Sequence, residues 1–269
     1  QRQMCIRDSG FCAEAAGCSV VKVLVCIPAR YSSTRFPAKV LAKDTGKYLI
    51  QHTYERATEA KLPEKVLIAA DDERIAEAAE SFGAECVLTR RDHQSGTDRI
   101  AEVVADIDVE IVVNVQADEP EIDPANIDYV AGLLLDNPDC RMATLATPFK
   151  SPEQITDPNI VKVVLDNQGR ALFFSRWPIP YDREKAGVGD VSRYLRHIGI
   201  YAYRKDFLGE FTSLPQSSLE KTEKLEQLRA LENGYSIIVG KVTHVVDGID
   251  TPEQYAAFVQ RWKQAHCNS

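Results

Sequence analysis

The sequence predicts an α/β protein: a mostly parallel sheet flanked by helices, with an antiparallel layer inserted in its second half. Two observations carry this. Through the first half, short β-branched runs alternate with segments of helical apolar spacing, the pattern of βαβ units. In the second half the strand runs crowd together, and Asn167 to Gly169 gives the turn signal of a hairpin.

The elements follow in order. VKVLVCI, from Val21, is apolar and β-branched, the pattern of a buried strand, and it is expected to break at Pro28 into a loop. TGKYLIQHTYERATEA has helical spacing, and KVLIAA is strand-like. DDERIAEAAESFG reads as an amphipathic helix opened by an aspartate cap and stopped at Gly83. AECVLTR is strand-like, and SGTDRIAEVVADID is a helix beginning near Ser95. EIVVNVQAD is a strongly apolar strand running into Asp118, Glu119 and Pro120. Beyond it, RMATLATPF, NIVKVVLDNQGRALFFSRWPIP and RHIGIYAYRKDFL hold strands, and SLEKTEKLEQLRALENG is one charged helix capped by Gly234. KVTHVVDGIDTPEQYAAFVQRW closes as a strand, a turn at Gly248 and a helix opened by Asp250 or Thr251. Residues 20–264 are expected to form one domain, with about 140–215 contributing the antiparallel insertion. Residues 1–19 lack periodicity and read as a non-native or disordered appendage.

Composition bounds the function. A net charge of -8 argues against a nucleic-acid-binding surface, while leaving room for a local positive pocket. No apolar run has the length of a bilayer span, so no membrane insertion is expected. The cysteines form no CxxC pair and no zinc spacing, which points to reduced thiols and a cytoplasmic setting.

The loop after the first strand carries Arg30, Arg35 and Lys39 among Ser32, Ser33 and Thr34. Cations and hydroxyls between a strand and a helix make a cradle for a polyphosphate. Ligands of parallel sheets bind at the carboxyl ends of strands, so this loop, the Asp71 turn, the Ser95 loop and the Asp118 turn should meet on one edge. Asp118 and Asp250 are oxygen donors suited to Mg²⁺. Aspartates at strand ends and helix caps are also commonly structural, so spacing alone leaves both open.

IPARYSSTRFPAKVL, HQSGTDRIAEV, VVNVQADEPEI, FFSRWPIPY, RHIGIYAYR, LEKTEKLEQLRALENG and GIDTPEQ occur in this order. Together they resemble the 3-deoxy-manno-octulosonate (Kdo) cytidylyltransferase family, over nearly everything from Val21 to Trp262. The resemblance implies a Rossmann-like nucleotidyltransferase sheet and a dimerisation or sugar-binding insertion. It implies transfer of CMP from CTP to the anomeric hydroxyl of Kdo, with pyrophosphate released and Kdo activated for lipopolysaccharide biosynthesis. It implies catalytic roles for Arg30, Lys39, Asp118 and Asp250, with Mg²⁺ on the two aspartates. Nucleotide contacts would come from Ala29, Arg30, Arg35, Lys39, Ala70, Asp71, Ser95 and Gly96. Kdo contacts would come from Gln116, Arg176, His197, Tyr201, Glu226 and Gln227. A homodimer is implied as well.

Two residues depart from the family pattern: Ala38 and Ala117 stand where it usually has glycine. A nucleotidyltransferase for another acidic sugar stays open. A glycosyltransferase would normally show a DxD pair, which Asp118-Glu119-Pro120 lacks. A non-catalytic protein of the same fold is disfavoured by the retained Arg30, Lys39, Asp118 and Asp250.

Overall fold

The computed structural model describes residues 21–33 and 35–266; the expectation for residues 1–19 lies outside them. A single mixed sheet organises the chain. Its parallel half is built from β1 (Val21–Ala29), β2 (Lys65–Ala70), β3 (Cys86–Leu88) and β4 (Val109–Asn114), in the spatial order β3-β2-β1-β4. Helices α1 (Leu49–Thr58), α2 (Glu73–Ser81) and α3 (Gly96–Val104) connect them. The caps are those the sequence signals. Asp72 accepts from the amide of Arg74, and Ser95 forms a reciprocal capping box with Asp98.

Alternate residues of β1 serve opposite faces. Val23, Val25, Ile27 and Ala29 join one buried cluster, and Leu24 and Cys26 join the other. A strand covered by helices on both sides must be apolar throughout, which is why VKVLVCI lacks an alternating pattern. Pro28 does not end this strand. It pairs in register with Ala69 of β2, beyond the last residue paired to β4, where one side of the strand is free of ladder bonds.

After α4 (Pro124–Asp136), β5 (Met142–Pro148) and β9 (Ile237–Lys241) run parallel to each other, and β8 (Leu195–Arg204) lies antiparallel between β4 and β5. The hairpin of β6 (Lys162–Leu165) and β7 (Ala171–Ser175) joins through β6 to the start of β8. The antiparallel segment is thus hydrogen-bonded into the main sheet. α5 (Pro152–Thr156) is a short helix before β6.

Three further local expectations are corrected, and one helix had no counterpart in the sequence reading. RKDFL does not extend β8: α6 (Lys205–Ser213) starts directly after it, burying Phe207, Leu208 and Phe211. The charged helix is two, α7 (Ser218–Glu223) and α8 (Gln227–Glu232), broken at Lys224 in a left-handed conformation (φ 53). The last strand is β9, one segment before KVTHVV, which runs as an irregular loop after Lys241. α4 carries no charge on its buried side and was not anticipated. The final helix, α9 (Pro252–His266), packs Tyr255, Phe258 and Val259 against Leu49 and Ile249.

Candidate active site

The four strand-end segments do meet on one edge. Asp71, just past β2, accepts the amide of Tyr31 at 2.8 Å, which fixes the start of the cation loop. Gly96 opens α3 against the Pro28 ring; a Cβ there would stand 3.1 Å from Pro28 Cγ, so a side chain would press the two elements apart. The amide of Ile249 donates to the Asp118 carbonyl at 2.8 Å, which brings the Asp250 loop alongside the end of β4.

Between these segments lies a cleft of about 330 Å³ lined by Arg30, Arg35, Lys39, Gln116, Asp118 and Asp250. Lys39 is its centre. The residue is 8 % exposed, and its ammonium donates to Asp118 Oδ2 at 2.5 Å, to the Ile249 carbonyl at 2.6 Å and to Asp250 Oδ1 at 3.4 Å. Arg35 reaches Asp250 Oδ1 at 3.1 Å from the solvent side. Its exposure makes this pair weak in itself, so it leaves the guanidinium available to an anion. Glu119, next to Asp118, is pushed up to about 8 by burial and then by the Asp118 and Asp247 charges, so at neutral pH it adds little charge beside Asp118.

Ala38 precedes Lys39 in a left-handed conformation, φ 53 and ψ 27, and its carbonyl accepts from Leu41 in the short 3-10 turn that carries the lysine. A glycine would hold this conformation without the Cβ penalty that Ala38 carries. Ala117 is different: it is not among the positive-φ residues, is 6 % exposed, and its carbonyl accepts from Thr53 at 3.2 Å.

The remaining expected residues fall into two groups. Ala29 and Ala70 are buried register partners at the ends of β1 and β2, and Ser95 is the cap of α3. On β8, His197 bonds Thr144 at 3.1 Å and sits edge-on to Phe174, with Tyr201 at 5.3 Å between ring centres. Burial pushes His197 down to about 3, so it is a neutral imidazole. Glu226 takes the Thr97 hydroxyl at 2.6 Å, linking α8 to the start of α3, and burial raises its carboxyl. The (i, i+3) pairing of Glu226 with Arg229 is long, 4.0 Å, because Arg229 is engaged by buried Glu220 at 2.6 and 2.8 Å. Gln227 is buried with its Nε2 unpartnered. Arg176 donates to the carbonyls of Glu223 at 2.7 Å and Pro158 at 2.9 Å. None of these residues lines the Lys39 cleft.

Two participants escaped the sequence reading. The Ile249 carbonyl is main chain and leaves no mark in residue identity. Arg99 was not singled out in the sequence, yet it lies four residues before Val103 on the apolar stripe of α3, and that spacing is the signal for a buried cation.

The cytidylyltransferase family model matches residues 24–237. A 3-deoxy-manno-octulosonate cytidylyltransferase of Solibacter usitatus is 51% identical over 232 residues, covering 86% of this chain and 91% of that protein. The chain belongs to the 3-deoxy-manno-octulosonate cytidylyltransferases. It is thus a nucleotidyltransferase. The same family name is carried by a Syntrophotalea carbinolica relative, 52% identical over 238 residues, 87% of this chain and 95% of its own. A solved structure of CMP:2-keto-3-deoxy-manno-octonic acid synthetase complexed with CTP superposes with a TM-score of 0.86 at 40% identity, covering 91% of this chain and 99% of that one. A cytidylyltransferase from Leptospira borgpetersenii, at 17% identity and TM-score 0.57 over 89% of this chain and 85% of its own, shares the fold alone.

Proposed function

We propose that this cytidylyltransferase transfers CMP from CTP to the anomeric hydroxyl of Kdo, giving CMP-Kdo and pyrophosphate for lipopolysaccharide biosynthesis. The observation that carries the reading is the cleft in which the cation loop meets Asp118 and Asp250. Relatives at about half identity carry that activity in their names.

Arg30, Arg35 and Lys39 would hold the triphosphate and neutralise the charge that builds on departing pyrophosphate. The main chain of the turns at Asp71 and Ser95, at the end of β2 and before α3, would read the base. On the sugar side, Gln116, Arg176, His197, Tyr201, Glu226 and Gln227 would orient the acid, His197 as a neutral hydrogen-bonding group. Catalysis then consists of positioning and charge balance.

The residues present fit Mg²⁺. Two carboxylates already converge on one ammonium, and magnesium is commonly held by one or two carboxylates together with substrate phosphates. Asp118 and Asp250 would hold it, and bound there it would supply charge neutralisation and acidify an adjacent hydroxyl.

We place the enzyme in the cytoplasm as a homodimer. Cys26, Cys86 and Cys140 are free thiols, as a reducing compartment keeps them. No helix among the described residues is long and apolar enough to cross a membrane. Leu172, Trp177 and Tyr181, on and after β7, are exposed apolar groups suited to an interface between copies.

Pyrophosphate release with CTP, Kdo and Mg²⁺ tests the reading. Asp118→Ala and Asp250→Ala should each lose on the order of a hundredfold in turnover. Near-wild-type turnover in either variant removes that residue from the site, and release with another acidic sugar but not Kdo transfers the substrate assignment.

A further inference from the structure

We propose that Arg99 is a positioning residue for nucleotide binding, acting through Asp71 on the backbone of Arg30 and Tyr31. The inference rests on the CTP reading above.

Arg99 is 0 % exposed, one of the largest fully buried side chains of the protein. Its Nη1 donates to the Thr89 hydroxyl and, at 3.1 Å, to the Arg90 carbonyl. Its Nε and Nη2 have no hydrogen-bond partner. Two anions act on it, Asp71 and more weakly Glu102, and the Asp71 Oδ2 stands 3.6 Å from Nη2. A buried guanidinium with two idle donors contributes poorly as glue, and an apolar pair in place of Arg99 and its anion would commonly serve stability as well or better. A use for it is given by what Asp71 does with its other oxygen. Asp71 Oδ1 accepts the Tyr31 amide, the peptide that joins Arg30 to the rest of the cation loop.

The chain of contacts is short and each link has a direction. Arg99 fixes one carboxylate oxygen by charge, which turns the second toward the Tyr31 amide. The amide in turn sets the peptide plane that follows Arg30, and with it the exit direction of that side chain into the cleft. Arg99 also feels the positive charge of Arg30, and burial lowers its own pKa. A phosphate arriving beside Arg30 relieves that repulsion. The same guanidinium grips the β3–α3 loop at Thr89 and Arg90, and Thr89 in turn bonds the Ala70 carbonyl. The strand end that precedes Asp71 and the loop that leads to Ser95 are therefore held by one side chain.

The test is a double-mutant cycle read by CTP affinity, KM values and melting temperature, with Arg99→Met, Asp71→Asn and the pair. Asp71→Asn keeps an acceptor for the Tyr31 amide and removes the charge that Arg99 aligns. Arg99→Met should weaken CTP binding by about tenfold and leave KM for Kdo within about twofold, and it should lower the melting temperature because Asp71 is left without its cation. In the Asp71→Asn background the same change should have no further effect on CTP affinity, since the two act in series. Additive losses, an equal rise in both KM values, or wild-type CTP affinity in Arg99→Met would each overturn the assignment. If Arg99→Met does not fold, Arg99→Gln, which keeps a polar side chain and removes the charge, runs the same cycle with the same deciding outcomes. Wild-type protein that fails to bind CTP would overturn the functional reading and this inference together. Wild-type protein that binds CTP beside variants that bind it equally overturns this inference alone.

Discussion

Replacing Ala38 by glycine should stabilise the protein, which is unusual for a change that deletes a methyl group. Ala38 sits at φ 53 and ψ 27. A left-handed conformation costs an L-residue roughly 1–2 kcal/mol, because Cβ crowds the following carbonyl. Glycine removes that cost but gives the unfolded chain more freedom, worth roughly 0.4–1 kcal/mol. The difference leaves Ala38→Gly more stable by about 0.5–1 kcal/mol. For a domain of this size that corresponds to a rise of about 1–4 °C in melting temperature. Ala117→Gly provides the internal control, since it occupies the family's other glycine position without a positive φ. It loses a buried methyl and gains backbone entropy, so it should destabilise by roughly 1 kcal/mol. Differential scanning calorimetry on both variants reads the two signs directly. A melting temperature for Ala38→Gly at or below wild type would refute the strain argument, and so would the same sign in both variants.

Lys39→Met removes the ammonium on which Asp118 and Asp250 converge, so Mn²⁺ titrated without nucleotide should bind more tightly, on the order of tenfold; equal affinities would show that lysine and metal do not share the site. His52 is 2 % exposed and its pKa is pushed down to about 4, mainly by burial. The unfolded chain takes up this proton first, so its contribution is intact above about pH 6.5 and is lost at about 1.4 kcal/mol per unit as pH falls toward 4. His52→Gln should flatten the stability-pH slope in that window, measured by urea unfolding. The Glu220–Arg229 pair is buried, at 7% and 8% side-chain exposure. Glu220→Ala should cost about 3–5 kcal/mol by stranding the guanidinium, while Glu220→Leu with Arg229→Met should cost clearly less in chemical denaturation.

The parallel half of the fold was legible because its signals are local. β-branched runs, an Asp72 cap, a Ser95 capping box and Gly83 after α2 each act within a few residues. Where punctuation is absent the reading slipped. α6 follows β8 with no glycine or proline between them, so RKDFL passed for strand. Lys224 adopts the left-handed conformation without being glycine, so α7 and α8 passed for one helix. Pro28 looked like a terminator because a proline removes a donor, yet it stands where β1 has no second neighbour to receive one.

The site itself was only half legible, and the reason is distance along the chain. Arg30, Arg35 and Lys39 announce an anion loop by themselves, but Lys39 finds Asp118 79 residues away and Asp250 211 residues away. No periodicity encodes that meeting; β4 and the loop before α9 deliver it because both end on the same edge of the sheet. Geometry gives Arg176 a structural occupation whatever it does for the sugar. Its guanidinium ties the Pro158 and Glu223 carbonyls, and its amide donates to the Glu223 carboxylate, so it clamps the end of β7 to the break between α7 and α8. That break sets where Glu226 and Gln227 stand. An arginine that steadies the break and also faces an acidic sugar would couple sugar binding to the placement of α8. Glu226 would carry that coupling onward, since it bonds Thr97 at the start of α3. The residues expected at the sugar and those expected at the nucleotide are therefore joined by side-chain contacts rather than by the sheet alone.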